Sequence, residues 1–222
     1  MIIHDGLRRI VTNQEDVYYY ITLMNENYEH PALPAGVEEG ILKGAYLLRE
    51  SKSKAKARVQ LMGSGTVLRE VEAAAELLEK DWGVAADVWS ATSFTELRRE
   101  GLAADRWNLL HPEDKPRVPY VTQCIEKRSG PVVAASDYIK TFADQVRPFI
   151  PRDRIYRVLG TDGFGRSDSR AKLRHFFEVN RYFVAIAALK ALAESGEGKA
   201  KSVAEAIRKY GIDPNKPDPT TV

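Results

Sequence analysis

The sequence of 222 residues holds a single cysteine, Cys124, so no disulfide framework and no cysteine-built zinc centre can form within one chain. Such scarcity fits a reducing, cytoplasmic compartment. Long hydrophobic runs are also missing. The most apolar stretch, Tyr182 to Leu192, is too short to span a bilayer, and "MIIHDGLRRI" becomes charged at once, unlike a signal peptide. Nor is there an excess of charge of one sign. Thirty-three basic residues face 31 acidic ones for a net charge of +2, and they are interleaved, which argues against a nucleic-acid partner. Signatures of catalysis are lacking too: the chain contains no Gly-x-Ser-x-Gly elbow, no Walker loop and no His-Glu-x-x-His pair. His4, His30, His111 and His175 are scattered, with no i, i+4 pair, and read as surface or internally satisfied histidines rather than metal ligands.

What is present alternates between two periods. "HDGLRRIV" reads as a short helix and "VYYYITLM" (Val17 to Met24) as a buried strand, its tyrosines and β-branched residues suiting a pleated surface. "NENYEHPALPAG" carries two prolines and reads as a linker. Beyond it, "GAYLLRE" and "ARVQLMGSG" are strand-like and are expected to form a hairpin. The all-positive "SKSKAKAR" (Ser51 to Arg58) would be its solvated tip. "TVLREVEAAAELLEKDWG" is an amphipathic helix: Val67, Leu68, Val71, Ala74, Ala75 and Leu78 recur at three and four, and Gly83 stops it. "VAADVWSAT", "GPVVAAS" and "RIYRVLG" are further strands. Between and after them lie helices in "SFTELRREGLAADRWNLL", "PYVTQCIEKR", "DYIKTFADQVRPFI", "SDSRAKLRHFFEV", "NRYFVAIAALKALAESG" and "SVAEAIRKYG". Ser93 followed by Glu96 predicts a capping box. Cys124 falls on the apolar side of its helix and reads as a structural thiol. Phe176 and Phe177 read as core, and the tail "IDPNKPDPTTV" as loosely held. Strands alternating with helices predict an α/β fold: an open, mainly parallel sheet flanked by helices on both faces.

Two glycine-rich turns follow strands. "MGSGTVLRE" has the position of a dinucleotide fingerprint, but Leu68 stands where the third glycine belongs and no acidic residue ends the next strand. A ligand-free strand-to-helix turn is the simpler reading. "GTDGFGRSDSR" (Gly160 to Arg170) sits where open α/β sheets carry their functional loops. It holds no histidine, lysine or cysteine. We read it as a domain or subunit contact loop rather than a catalytic one, with Phe164 as its apolar anchor and Asp162, Arg166 and Asp168 as a polar rim. Ser167 or Asp168 is expected to cap the following helix.

The stretches "VYYYITLMNENYEHPALPAGVEEGILKGAYLL", "GSGTVLREVEAAAELL", "DVWSATSFTELRREG", "RWNLLHPEDKPRVPY" and "LGTDGFGRSDSRAKLRHFFEV" resemble the C-terminal end of homodimeric bacterial pyruvate dehydrogenases. These are thiamine-diphosphate-dependent first components of the pyruvate dehydrogenase complex. The resemblance implies that residues 1–36 are the remnant of a middle, pyrimidine-binding domain plus a linker. It makes 37–210 a transketolase-like C-terminal domain and 211–222 a proline-rich tail. It implies thiamine diphosphate and magnesium in the full-length enzyme, held by domains that precede this one, so no cofactor is expected on this chain alone. The implied partners are the missing upstream domains, the second subunit of a homodimer and the dihydrolipoyl acetyltransferase core. Asn25 and Glu26 are candidates for the active-site mouth. The chain then reads as a shortened form, a split gene product or an incomplete reading of a gene, supporting assembly rather than chemistry; a free-standing interaction module with the same fold is the alternative.

Overall fold

The computed structural model describes residues 1–24, 27–29 and 32–222. A five-stranded sheet organises the chain: β1 (Tyr46–Arg49), β2 (Arg58–Gly63), β3 (Ala85–Ser90), β4 (Val132–Ala135) and β5 (Tyr156–Leu159), in the order β1-β3-β2-β4-β5. The last four run parallel, whereas β1 lies antiparallel on β3 at the edge. Val59, Gln60, Leu61 and Met62 of β2 are all fully buried, as are β3 and β4, so these strands need cover on both faces.

Side-chain alternation divides that cover. On one face Val59, Leu61, Val88 and Val133 pack under Val71, Ala74 and Leu78 of α3 (Leu68–Trp82) and under Val184, Ala188 and Leu192 of α8 (Arg181–Glu194). On the other, Met62, Trp89, Val132 and Ala134 meet Phe94 and Leu97 of α4 (Phe94–Leu110), Val121 and Ile125 of α5 (Tyr120–Glu126), and Ala143 of α6 (Lys140–Asp144). The α/β expectation and most element positions hold. Ser93 Oγ accepts the Glu96 amide at 3.1 Å, but Glu96 turns to Arg99 instead of closing the capping box. The remaining helices are α1 (Ile2–Leu7), α2 (Glu38–Lys43), α7 (Arg170–Phe176) and α9 (Ala200–Lys209).

Several expectations are corrected. "GAYLLRE" and "ARVQLMGSG" form no hairpin: β3 lies between them, because central β2 requires a parallel neighbour on each side. The lysine-rich segment is therefore a connection that crosses the end of β3. Val17 to Met24 pairs with no strand among the described residues. Tyr18 and Tyr20 are 89% and 87% exposed, while Tyr19 turns inward against Gly6 and donates to Asp5 at 2.6 Å. An apolar segment without a neighbouring strand has little to bury itself against. The tail is tied down rather than loose. Ile212 and Pro219 are buried, and Lys216 Nζ donates to the Phe176 carbonyl at 3.1 Å and to Glu178 at 2.9 Å. Phe176 and Phe177 are half-buried outside the two core clusters, because they form the floor on which that tail lies.

A buried polar node sits beneath the second core. Asp87 has no solvent exposure; it accepts the Ser51 amide at 2.9 Å and Gln60 Nε2 at 2.9 Å, and pairs with Arg58 and Arg128. Gln60 Oε1 in turn accepts Trp89 Nε1 at 2.8 Å. Truncating Asp87 would leave the buried Ser51 N–H without its acceptor and remove the charge that Arg58 and Arg128 both face. Asp87→Ala is therefore expected to lower folding stability by about 3 kcal/mol or more, read from urea denaturation midpoints.

Candidate functional site

The carboxyl ends of the parallel strands are bound together by their own loops. The order of strand addition reverses between β2 and β4, the position at which open α/β sheets place their functional crevice. The turn after β2 depends on Gly63, since a Cβ there would stand 2.6 Å from Leu68 Cα. The short 3-10 turn Gly65–Val67 then carries Thr66 across the crevice to donate to Asp137 at 2.8 Å. Thr161, after β5, donates its amide to the Tyr138 carbonyl at 2.9 Å and its hydroxyl to the Asp137 carbonyl. Three strand-end loops are thereby linked in sequence.

On this frame stands the loop "GTDGFGRSDSR". Asp162 accepts the Lys140 amide at 2.9 Å and lies 3.4 Å from its ammonium. Gly163 adopts φ +97, and a Cβ on it would meet the Pro219 carbonyl at 2.4 Å, so glycine is what lets the tail cross there. Phe164, by contrast, is 79% exposed. Arg166 lies over the Phe176 ring at 5.3 Å. Asp168 accepts the Ser169 amide at 2.7 Å and faces Lys172. Neither Ser167 nor Asp168 caps α7: Ser169 is the N-cap residue and makes no side-chain cap bond. The structure thus brings Asp162, Phe164, Arg166 and Asp168 onto one loop, with the charged three held by their own chain and Phe164 presented outward. Asn25 and Glu26 lie outside the described residues.

Beside this loop is a group that pattern reading missed. Glu70, in the first turn of α3, is buried and accepts the Arg181 amide at 3.0 Å and Arg181 Nε at 2.9 Å. Arg174 reaches its other oxygen at 3.1 Å. Burial opposes ionisation of Glu70 most strongly, but the hydrogen bonds and charges of Arg181 and Arg174 together outweigh it and hold the carboxyl below the ordinary glutamate range. The signal was available: Glu70 falls on the same stripe as Val67, Val71, Ala74 and Leu78. Arg170, from the end of the loop, donates to Tyr28 at 3.3 Å, and Arg69 stacks over that ring at 4.5 Å.

Chemically the arrangement offers structure more than reactivity. The carboxylates Asp137, Glu70 and Asp162 already have partners, and no group of three His, Cys, Asp or Glu that could hold a metal ion occurs among the described residues. Cys124 is half-buried on α5, and burial pushes its thiol pKa up, away from the reactive thiolate.

Two outcomes follow from this geometry. Gly163→Ala is expected to cost about 1–3 kcal/mol and to speed hydrogen exchange in residues 216–222. Gly165→Ala, whose Cβ would enter open space, leaves that exchange unchanged. Glu70→Gln is expected to lower stability at neutral pH by about 2 kcal/mol. Because the folded-state carboxyl titrates below its unfolded value, its contribution is full above the unfolded value and drains as pH falls through the folded one. The difference between parent and Glu70→Gln in urea titrations must therefore shrink in acid.

Comparison with known proteins agrees with this architecture. A family model described as "Transketolase-like TK C-terminal domain" matches residues 44–180, and one described as "Pyruvate dehydrogenase E1 component middle domain" matches residues 1–31. The chain is 59% identical to the pyruvate dehydrogenase E1 component of Cupriavidus necator, covering 100% of this chain and 25% of that protein. It is 59% identical to the protein of that name from Pseudomonas aeruginosa (99% and 25% covered) and 56% identical to that of Escherichia coli K12 (99% and 24%). The chain thus spans about a quarter of the length of the curated relatives it matches. A solved transketolase from Leishmania mexicana superposes with TM-score 0.48 at 17% identity, over 73% of this chain and 20% of that one. The strand order, the helix-covered sheet and the match across residues 44–180 lead to one conclusion: the chain belongs to the transketolase-like C-terminal domain family.

Proposed function

We propose that this chain serves as the C-terminal part of a cytoplasmic pyruvate dehydrogenase E1 component and that its own task there is assembly. The observation that carries the reading is identity of 59% along the whole chain to proteins of that name four times its length. In this reading the full enzyme is a thiamine-diphosphate- and magnesium-dependent homodimer. It decarboxylates pyruvate oxidatively and acetylates the lipoyl group of the dihydrolipoyl acetyltransferase core. Residues 1–36 belong to the preceding domain and linker, residues 37–210 form the C-terminal domain, and 211–222 are its tail. The exposure of Tyr18, Tyr20 and Leu23 supports this division, because apolar side chains left exposed on an unpaired segment suit a neighbouring domain.

The described residues do not fit a diphosphate–magnesium group. Their carboxylates at the carboxyl edge are engaged by Thr66, Arg181 and Lys140, and no metal-competent cluster accompanies them. No chemical step is assigned to them. Phe164 supplies the anchor of the contact loop. Its exposed ring, on a backbone fixed by Asp162 and Gly163, is preordered for burial against another domain or subunit.

The test is co-expression with a polypeptide carrying the upstream domains. The chain alone is expected to show no micromolar calorimetric binding of thiamine diphosphate and no pyruvate decarboxylation, whereas the reassembled pair shows both. Phe164→Ala should weaken reassembly by about 2 kcal/mol, or about 30-fold. Tight cofactor binding by the chain alone would overturn the assembly role. An intact assembly that binds cofactor but has lost turnover in Phe164→Ala would make the loop catalytic.

A further inference from the structure

The C-terminal tail and the Phe164 loop are joined through one lysine and one glycine. Lys216, with a side chain 16% exposed, donates from its ammonium to the Phe176 carbonyl at 3.1 Å and to Glu178 Oε1 at 2.9 Å. The same ammonium lies over the Phe176 and Phe183 rings at 5.7 and 5.9 Å. Arg166, from the loop, lies 5.3 Å from that Phe176 ring. Glu178 meets Lys216 from a left-handed backbone (φ +62), which is uncommon in a residue with a side chain and persists where the surroundings fix it. Further along the tail, buried Pro219 crosses Gly163, whose φ of +97 and missing Cβ leave room for the Pro219 carbonyl. The chain end folds back to keep it there: Asp218 Oδ1 accepts the Thr220 amide at 2.8 Å, and the Asp218 carbonyl accepts the Thr221 amide at 2.9 Å.

This strap is shallow. Within 211–222 only Ile212 and Pro219 are buried, and no residue of the tail enters either core cluster. A cavity of about 180 Å³ lies beneath it, lined by Lys140, Asp162, Glu178, Lys216, Asp218 and Thr220. The tail can therefore leave without opening the sheet. The loop under it has little else to hold its tip. Asp162 fastens the base to Lys140, but Phe164 is 79% exposed and a Cβ on Gly165 would meet nothing within 4 Å. Gly163 and Gly165, on either side of Phe164, widen the range of conformations open to a released tip, and that freedom must be given up on binding.

We propose that Lys216 is a positioning residue: it clamps the tail across Gly163 and so holds Phe164 in the orientation presented for assembly. The inference deepens the reading of the loop as a contact surface and rests on it. Lys216 itself need touch no partner. Its effect on docking passes through the tail and the loop.

The experiment has two arms. In the 222-residue chain, hydrogen exchange is followed across 160–168 for the parent, Lys216→Met and Lys216→Arg. Lys216→Met keeps an unbranched apolar stem and loses the donors. It is expected to speed exchange in 160–168 about tenfold while β2 and β4 keep their protection, and Lys216→Arg should restore most of the slow exchange. In the second arm the same variants are co-expressed with the polypeptide carrying the upstream domains. Lys216→Met should weaken reassembly about fivefold. It should add no further loss to Phe164→Ala, because both act through one side chain. Unchanged exchange in 160–168, or faster exchange throughout the sheet, would overturn the clamp. So would losses from Lys216→Met and Phe164→Ala that simply multiply. If Phe164→Ala itself leaves reassembly intact, the contact reading fails and the docking role of Lys216 with it, whereas the exchange arm still reads the clamp directly.

Discussion

A carboxylate with no access to water, Asp87 in the middle of β3, is the constraint on which much of this structure depends. Burial of a charge is costly unless donors surround it. Here they come from four places: the Ser51 amide in the crossing connection, Arg58 and Gln60 on β2, and Arg128 beyond α5. Meeting that requirement ties β2 to β3, holds the connection from β1 against the sheet, and seats Trp89 through Gln60. A buried ion pair is a weak argument for stability, since apolar side chains of similar volume often do as well. Its consequence is specificity: an alternative route for the connection would take the Ser51 amide away from Asp87.

The two ends of the sheet are built on different principles. At the amino end, charge is concentrated around one buried acid. At the carboxyl end, single hydrogen bonds pass from loop to loop: Thr66 to Asp137, Thr161 to Tyr138, and Asp162 to Lys140. Glu70 with Arg181 and Arg174 anchors the start of α3 beside them. The outcome is an ordered edge on which the Phe164 ring is 79% exposed.

Much of the fold was legible because its signals were local. The stripe of α3, the cap at Ser93, the stop at Gly83 and the buried runs of β3 and β4 each follow from period and propensity within a few residues. Glu70 was legible in principle, as a charge on an apolar stripe, and was passed over. Strand pairing was not legible. β1 and β2 adjoin in sequence, yet β3 comes between them, because pairing depends on which strand has both faces covered, and the helices that cover β2 come later in the chain.

By itself the sequence determined the α/β class, the run of helices and strands, and the exclusion of disulfides within the chain. Tertiary structure decided everything that requires two distant segments to meet. It turned the proline-rich tail into a strap, because Gly163 leaves room for the Pro219 carbonyl and Lys216 finds Glu178. It left Val17 to Met24 unpaired, because no described strand lies beside it. It also gave Asp162 to Lys140 and Arg166 to Phe176 while leaving Phe164 exposed. The physical reason is common to all three: hydrophobic period and propensity act over one element at a time. The partner of a charge or a strand edge is known only when the chain has closed on itself.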